Sequence, residues 1–319
     1  MTMFIGVAYV SYVWRRCQVI DTLGMTETLG LFAPGFVLGF VLSGVLAALG
    51  VMLRLREEAL AAFSYAHVAV LGAMLAALLG WPLLVGAWGL AVLLAVASAL
   101  ILRTTGEGTS SRYLMILLIA WSLGLLLADN HPEARLLSAS AIEGQLLLVG
   151  WSALPAFIGV GLLGGFLLAA GARRWFAKAL LPWRRHSVVQ GQMIEVKREV
   201  AVVALLAAGA LALGVFVTLA LVLVPAWVSW FWASSLRRAM LSAAVLGVGS
   251  HIVAFSLSLA FDQVYSAVLI ITLAAVALLA AGLAWAGQRR TAARGRSPRS
   301  NHPDAASTQP RASAEENDR

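Results

Sequence analysis

EVAVVALLAAGALALGVFVTLALVLVPAWVSWFWA, residues 199–233, decides how often this chain crosses a bilayer. A membrane helix needs about 20 apolar residues, so the stretch is either one overlong span or two short ones. Gly214 sits near its middle, and glycine weakens a helix and favours a break. Charge arbitrates between the two. Two crossings, about 199–213 and 215–233, put Arg54 and Arg56, Arg103 and Arg112, the seven Lys and Arg from Arg173 to Arg198, Arg237 and Arg238, and Arg289 and Arg290 on one side. By the positive-inside rule that side is cytoplasmic. The acidic Asp129, Glu133, Glu143 and Asp262 then fall outside. Arg15 and Arg16 fall outside too, against the rule.

Working outward, further apolar runs cover about 31–53, 59–79, 81–102, 113–128, 146–171, 239–260 and 264–286, separated by short polar breaks. The fold class is therefore an all-α polytopic membrane helix bundle of about eight or nine spans, nine by the charge argument. Composition agrees: 61% of residues are hydrophobic, 12% are charged and the mean hydropathy is +0.88, too apolar for a water-soluble domain. The alternation of a membrane β-barrel is absent. A formal charge of +8 is no nucleic-acid footprint, because the cations lie in short loops and the tail and not on one soluble face. The single Cys17 excludes an internal disulfide and any cysteine-based zinc or redox site.

Three regions follow: an N-terminal interfacial segment over 1–30, a transmembrane domain over 31–286, and a disordered cytoplasmic tail over 287–319. The first contains the short apolar Met3–Trp14 followed by Arg15 and Arg16, the wrong order for a cleaved signal. The tail turns to Arg, Ser, Pro, Ala, Asn and Asp, with too little apolar surface to offset the entropy of ordering it. In the first span Gly35, Gly39, Ser43 and Ala47 recur every four residues on one helix face, where small side chains allow close packing between membrane helices.

Nothing in the chain resembles a nucleotide-hydrolysing or proteolytic motif: no phosphate loop, no HExxH, no GxSxG. The chain is expected to be no enzyme and to bind no cofactor. Chemistry falls to scattered polar residues. In FSYAHVAVLG, residues 63–72, His67 lies about 12 Å along its helix from the cytoplasmic end, and His251 about 18 Å along another. Ionisable groups at that depth are costly and face the bundle interior or a polar cavity. Two readings stand for each: a metal ligand, or a neutral imidazole that hydrogen-bonds a neighbouring helix and packs. Outside, Asp129, His131 and Glu133 join carboxylates and an imidazole suited to a transition metal, at a spacing that matches no fixed motif and equally suits a solvated loop. Inside, residues 172–198 can form an amphipathic surface helix whose cations face anionic lipid. The turn ASSLRRAM, with Ser235, Arg237 and Arg238, is compact enough to dock into a partner's groove.

Read in order, these pieces resemble the ABC-3 family of metal-ion ABC transporter permeases. The family's Gly-Asp-x-x-x-His-Ala motif, reached after a glycine-containing span end and an arginine pair, has its counterpart in GVLAALGVMLRLREEALAAFSYAHVAVLG. His67 matches the motif histidine, Phe63 stands where the aspartate belongs, and Ala62 replaces the glycine. SAIEGQLLLVG keeps Gly144 of a segment following an outward loop, VFVTLALVLVPAWVSWFWASSLRRAM keeps Pro225-Ala226 before the coupling region, and LSLAFDQVYSAVLII keeps Asp262 but not the family's later Pro and Gly.

The resemblance implies a bacterial cytoplasmic-membrane permease that works as a homodimer. A separate ATP-binding subunit would consume the ATP, and an external metal-binding protein would deliver the cargo. Ser235, Arg237 and Arg238 would form the coupling turn, and His67, aided by His251, would handle a divalent metal. Imidazoles favour zinc over harder cations; manganese, iron or a chelate are the alternatives. Phe63 in the aspartate's place is compatible with a cargo that is no longer a bare cation. Two other classes compete: a membrane enzyme or assembly factor using residues 129–145, and an ion-coupled carrier, which the scarcity of carboxylates within spans disfavours.

Overall fold

The computed structural model describes residues 25–105, 109–144, 146, 149–180 and 188–294, with side chains for part of these. Residues 1–24, with Arg15, Arg16 and Cys17, lie outside the described residues, as do the tail from 295 and the side chains of 172–195. The chain divides into two compact units, Met1–Ala281 and Gly282–Arg319. The second contains the C-terminal turns of the last helix.

Ten α-helices and no strand occur among the described residues: α1 Met25–Leu55, α2 Ala59–Leu78, α3 Leu83–Thr105, α4 Thr109–Asn130, α5 Pro132–Glu143, α6 Leu154–Leu180, α7 Val188–Ala212, α8 Val215–Ser229, α9 Leu236–Phe261 and α10 Tyr265–Arg294. Six contain stretches long and apolar enough to cross a membrane, in α1, α2, α4, α6, α9 and α10. Shorter apolar helices cover Leu83–Ser98 and Val215–Ser229.

The stretch that opened the reading breaks at Gly214, whose φ of 95° is open to glycine at no steric cost. The helix before the break starts earlier than expected, at Val188, because the charged residues from Glu195 to Glu199 are carried inside α7. A second difference lies outside the spans. Residues 132–143, expected as a loop, form the helix α5, which opens with Pro132 in its first turn and Glu133 near its positive end. Gly144, with φ of 78°, ends it and packs its Cα against the Leu213 carbonyl at the break, where a Cβ would overlap that oxygen.

Helix α1 is the central element. It touches α9, α8, α6 and α7, and Leu38, Leu42, Leu46 and Leu49 are fully buried along it. The small-residue stripe performs as its spacing predicts. Gly35 lies against the Leu146 carbonyl, Gly39 against the His251 ring, and Ser43 and Ala47 against Gly247 of α9. With lipid offering no hydrophobic drive for association, such close backbone contacts supply the van der Waals energy that holds the two helices together. Helix α2 packs between α3, α4, α5, α7 and α8, so residues on several of its faces meet protein.

Candidate metal-handling site

His67 and His251 have different surroundings. On α2, the Nδ1 of His67 lies 2.9 Å from the Phe63 carbonyl one turn earlier. A carbonyl only accepts, so Nδ1 carries the proton and the lone pair is left on Nε2. This is the arrangement metal-binding imidazoles adopt, in which a backbone carbonyl fixes tautomer and ring orientation. Among the described residues no protein group bonds Nε2. The ring is half-buried and walled by aromatics: Phe63 edge-on with centroids 4.4 Å apart, Trp121 of α4 at 5.1 Å, and Phe216 of α8 at 6.3 Å from Phe63. Phe63 packs beside Ala210 and Val215, which flank the Gly214 break.

His251 is fully buried. Its Nε2 donates to the Phe36 carbonyl of α1 at 3.1 Å, and its Nδ1 accepts from the Tyr265 hydroxyl of α10 at 2.7 Å. Phe36, Phe255 and Tyr265 enclose the ring at centroid distances of 5.5 to 5.7 Å. Both ring nitrogens are thus engaged, and a metal would have to displace one partner. No hydrogen bond or ring contact joins His67 to His251 among the described residues, and their neighbours come from different helices.

The external trio is spread along the start of α5. His131 precedes the first turn, Glu133 lies in it, and the Asp129 carboxylate, largely exposed, pairs with Arg135 at 3.5 Å. Among the described residues no group of three His, Cys, Asp or Glu side chains is placed to hold a metal ion. On the opposite side of the sequence-derived topology, Ser235 caps α9, its hydroxyl accepting from the Arg238 amide at 3.4 Å. The Arg238 guanidinium donates to the Ser234 hydroxyl at 2.7 Å. Ser235, Arg237 and Arg238 are all exposed. Trp230, at the end of α8, lies under the Arg54 guanidinium at 5.6 Å and ties this turn to α1.

One cluster escaped the sequence reading, which took its cations for orientation signals alone. Arg198 of α7 donates to both Glu58 oxygens, at 2.6 and 3.4 Å, with both side chains buried. Arg56 adds a third bond to Glu58 at 3.0 Å. Next to Arg198 in sequence, Glu199 accepts from Tyr65 at 2.7 Å and Tyr113 at 3.4 Å, with Arg112 at 3.6 Å. The cluster joins α2, α4 and α7 two residues before His67. Nothing local pairs position 58 with 198; the only sequence signal was carboxylates close to arginines at helix ends.

A profile of the ABC 3 transport family matches residues 29–284. The chain belongs to the ABC 3 transport family. No curated protein has a significantly similar sequence. Among solved structures, PsaBC from Streptococcus pneumoniae, in complex with Fab, is similar at 17% identity with a TM-score of 0.67, over 83% of this chain and 94% of that one. A metal-chelate type ABC transporter in an inward-facing conformation matches at 19% identity and a TM-score of 0.55, over 81% of this chain and 86% of that one. At such identities these likenesses establish a shared fold. The family match spans α2 with His67, the external trio, the broken α7 and α8, the exposed turn at 230–235 and α9 with His251 of this ABC 3 chain.

Proposed function

We propose that this chain is the permease subunit of an ABC importer in the bacterial cytoplasmic membrane, moving a divalent transition metal, zinc foremost, with manganese, iron or a metal chelate as the other cargoes of the same class. The observation that carries the reading is the family match over 29–284. Support comes from the chemistry of His67, whose Nε2 lone pair is held ready by the Phe63 carbonyl. Zinc accepts imidazole nitrogen readily. His251 enters as a second imidazole that becomes available when its bonds to Phe36 and Tyr265 open.

Power comes from a separate ATP-binding subunit seated on the exposed Ser235, Arg237 and Arg238, and an external metal-binding protein delivers the cargo to a homodimer of this chain. The test is co-purification with a co-expressed ATP-binding ABC subunit, followed by ATP hydrolysis in proteoliposomes with the binding protein and zinc. Metal-stimulated hydrolysis that His67→Ala reduces at least tenfold is expected. Hydrolysis indifferent to every metal, or transport by the isolated chain without an ATPase, would overturn the reading.

A further inference from the structure

We propose that the cavity between α1, α8 and α10 holds a phosphatidylethanolamine molecule, its phosphate on Arg54, its ammonium on Glu57 and an acyl chain along the apolar lining. The cavity measures about 500 Å³, within the roughly 300–1,000 Å³ typical of ligand sites. Side-chain size explains why it exists. On the inward face of α10, Tyr265, Leu269 and Leu273 are buried against the bundle, and one turn further on the lining residue is only Ala277. Opposite, Gly50 lets α1 press against the Val222 carbonyl of α8, and Ala226 is a further small residue in the lining. The large side chains space α10 from the bundle, and alanine and glycine do not fill the space that follows. An apolar space left unfilled forfeits dispersion contacts that a hydrocarbon chain restores.

The mouth of the cavity selects the occupant. Arg54, in the last turn of α1, and Glu57, just beyond its end, both line it. Among the described residues neither forms an ion pair. Glu57 is exposed and has a φ of 57°, a left-handed conformation that glycine adopts freely and other residues only at a cost. Its amide donates to the Arg54 carbonyl at 3.1 Å, which fixes both residues in one turn. Ala59, the first residue of α2, lines the same mouth, and the positive end of a helix favours a phosphate. A second copy of this chain packed here would shut a cation and a carboxylate away from water, which is costly unless each meets its opposite. A head carrying a phosphate and a primary ammonium gives each its opposite. A purely anionic head leaves Glu57 without a partner, and a trimethylammonium has no N–H to donate to it. Trp227 in the lining and Trp230, under Arg54 at 5.6 Å, are residues suited to headgroup level. By the sequence-derived topology the lipid belongs to the cytoplasmic leaflet, beside the exposed turn at 230–235.

The experiment uses the full chain, delipidated in detergent and offered an equimolar mixture of phosphatidylethanolamine, phosphatidylcholine and phosphatidylglycerol with identical acyl chains. Bound lipid is read by native mass spectrometry. Phosphatidylethanolamine is expected to be retained about tenfold over either competitor. Ala277→Phe fills the cavity and should lower that retention about tenfold. Glu57→Lys, at an exposed position that leaves the packing intact, should reverse the preference toward phosphatidylglycerol. Equal retention of the three lipids, or a phosphatidylethanolamine preference that Glu57→Lys leaves unchanged, would overturn the site. An Ala277→Phe chain that loses a dimer while its lipid retention stays the same would overturn it in favour of a second copy. Should Ala277→Phe fail to fold, the reversal by Glu57→Lys decides.

Discussion

The two membrane histidines of this ABC 3 chain have the same side chain and opposite situations. His251 is sealed among three helices with both nitrogens bonded, whereas His67 is half-buried and bonds only the Phe63 carbonyl among the described residues. The difference teaches that depth in the membrane does not by itself define a ligand. What matters is whether the neighbours leave a lone pair over: the distant Phe36 and the nearer Tyr265 take both nitrogens in one case, while the turn-mate Phe63 takes only one in the other.

The comparison can be broken or sharpened by substitution, reading stability from thermal unfolding of the purified chain in detergent. The largest effect is expected at the anchor of the His67 helix: Glu58→Gln replaces the buried carboxylate shared by Arg198 and Arg56 with a neutral amide and should cost about 3–4 kcal/mol. His251→Ala opens a cavity and leaves the Phe36 carbonyl and Tyr265 hydroxyl unpaired, a loss of about 3 kcal/mol. Gly39→Ala drives a methyl into the His251 ring and should cost about 1–3 kcal/mol. Tyr265→Phe removes one hydrogen bond to a buried imidazole, about 1 kcal/mol. Smallest is His67→Ala, expected below about 1 kcal/mol for a half-buried ring. A stability loss for His67→Ala equal to that for His251→Ala would erase the distinction between the two sites.

Much of the scaffold was legible in the sequence because membrane helices announce themselves locally. The break at Gly214 could be read from an apolar stretch too long for one span with a glycine in its centre, and the Gly35, Gly39, Ser43 and Ala47 stripe from its spacing. Helix α5 was hidden because PEARLLSASAIE is polar enough to pass for a loop, although Pro132 and Glu133 are ordinary helix-start residues. Of the site, only His67 and its turn-mate Phe63 were visible together. The ring wall required Trp121 and Phe216, and the engagement of His251 required a carbonyl 215 residues away. Such contacts follow from helix placement, which no local pattern encodes. The Glu58, Arg198 and Glu199 cluster was missed for the same reason: arginines flanking a span look alike whether they face water or a buried carboxylate.

The sealing of Glu58 and Arg198, each about 5% exposed or less, has a consequence for handling the protein. Ions in solution weaken attractions between charges they can surround, and a pair shut away from water is weakened far less. Arg237 and Arg238 stand in the open, so a concentrated salt wash acts on whatever clings to them while α2 and α7 stay clasped.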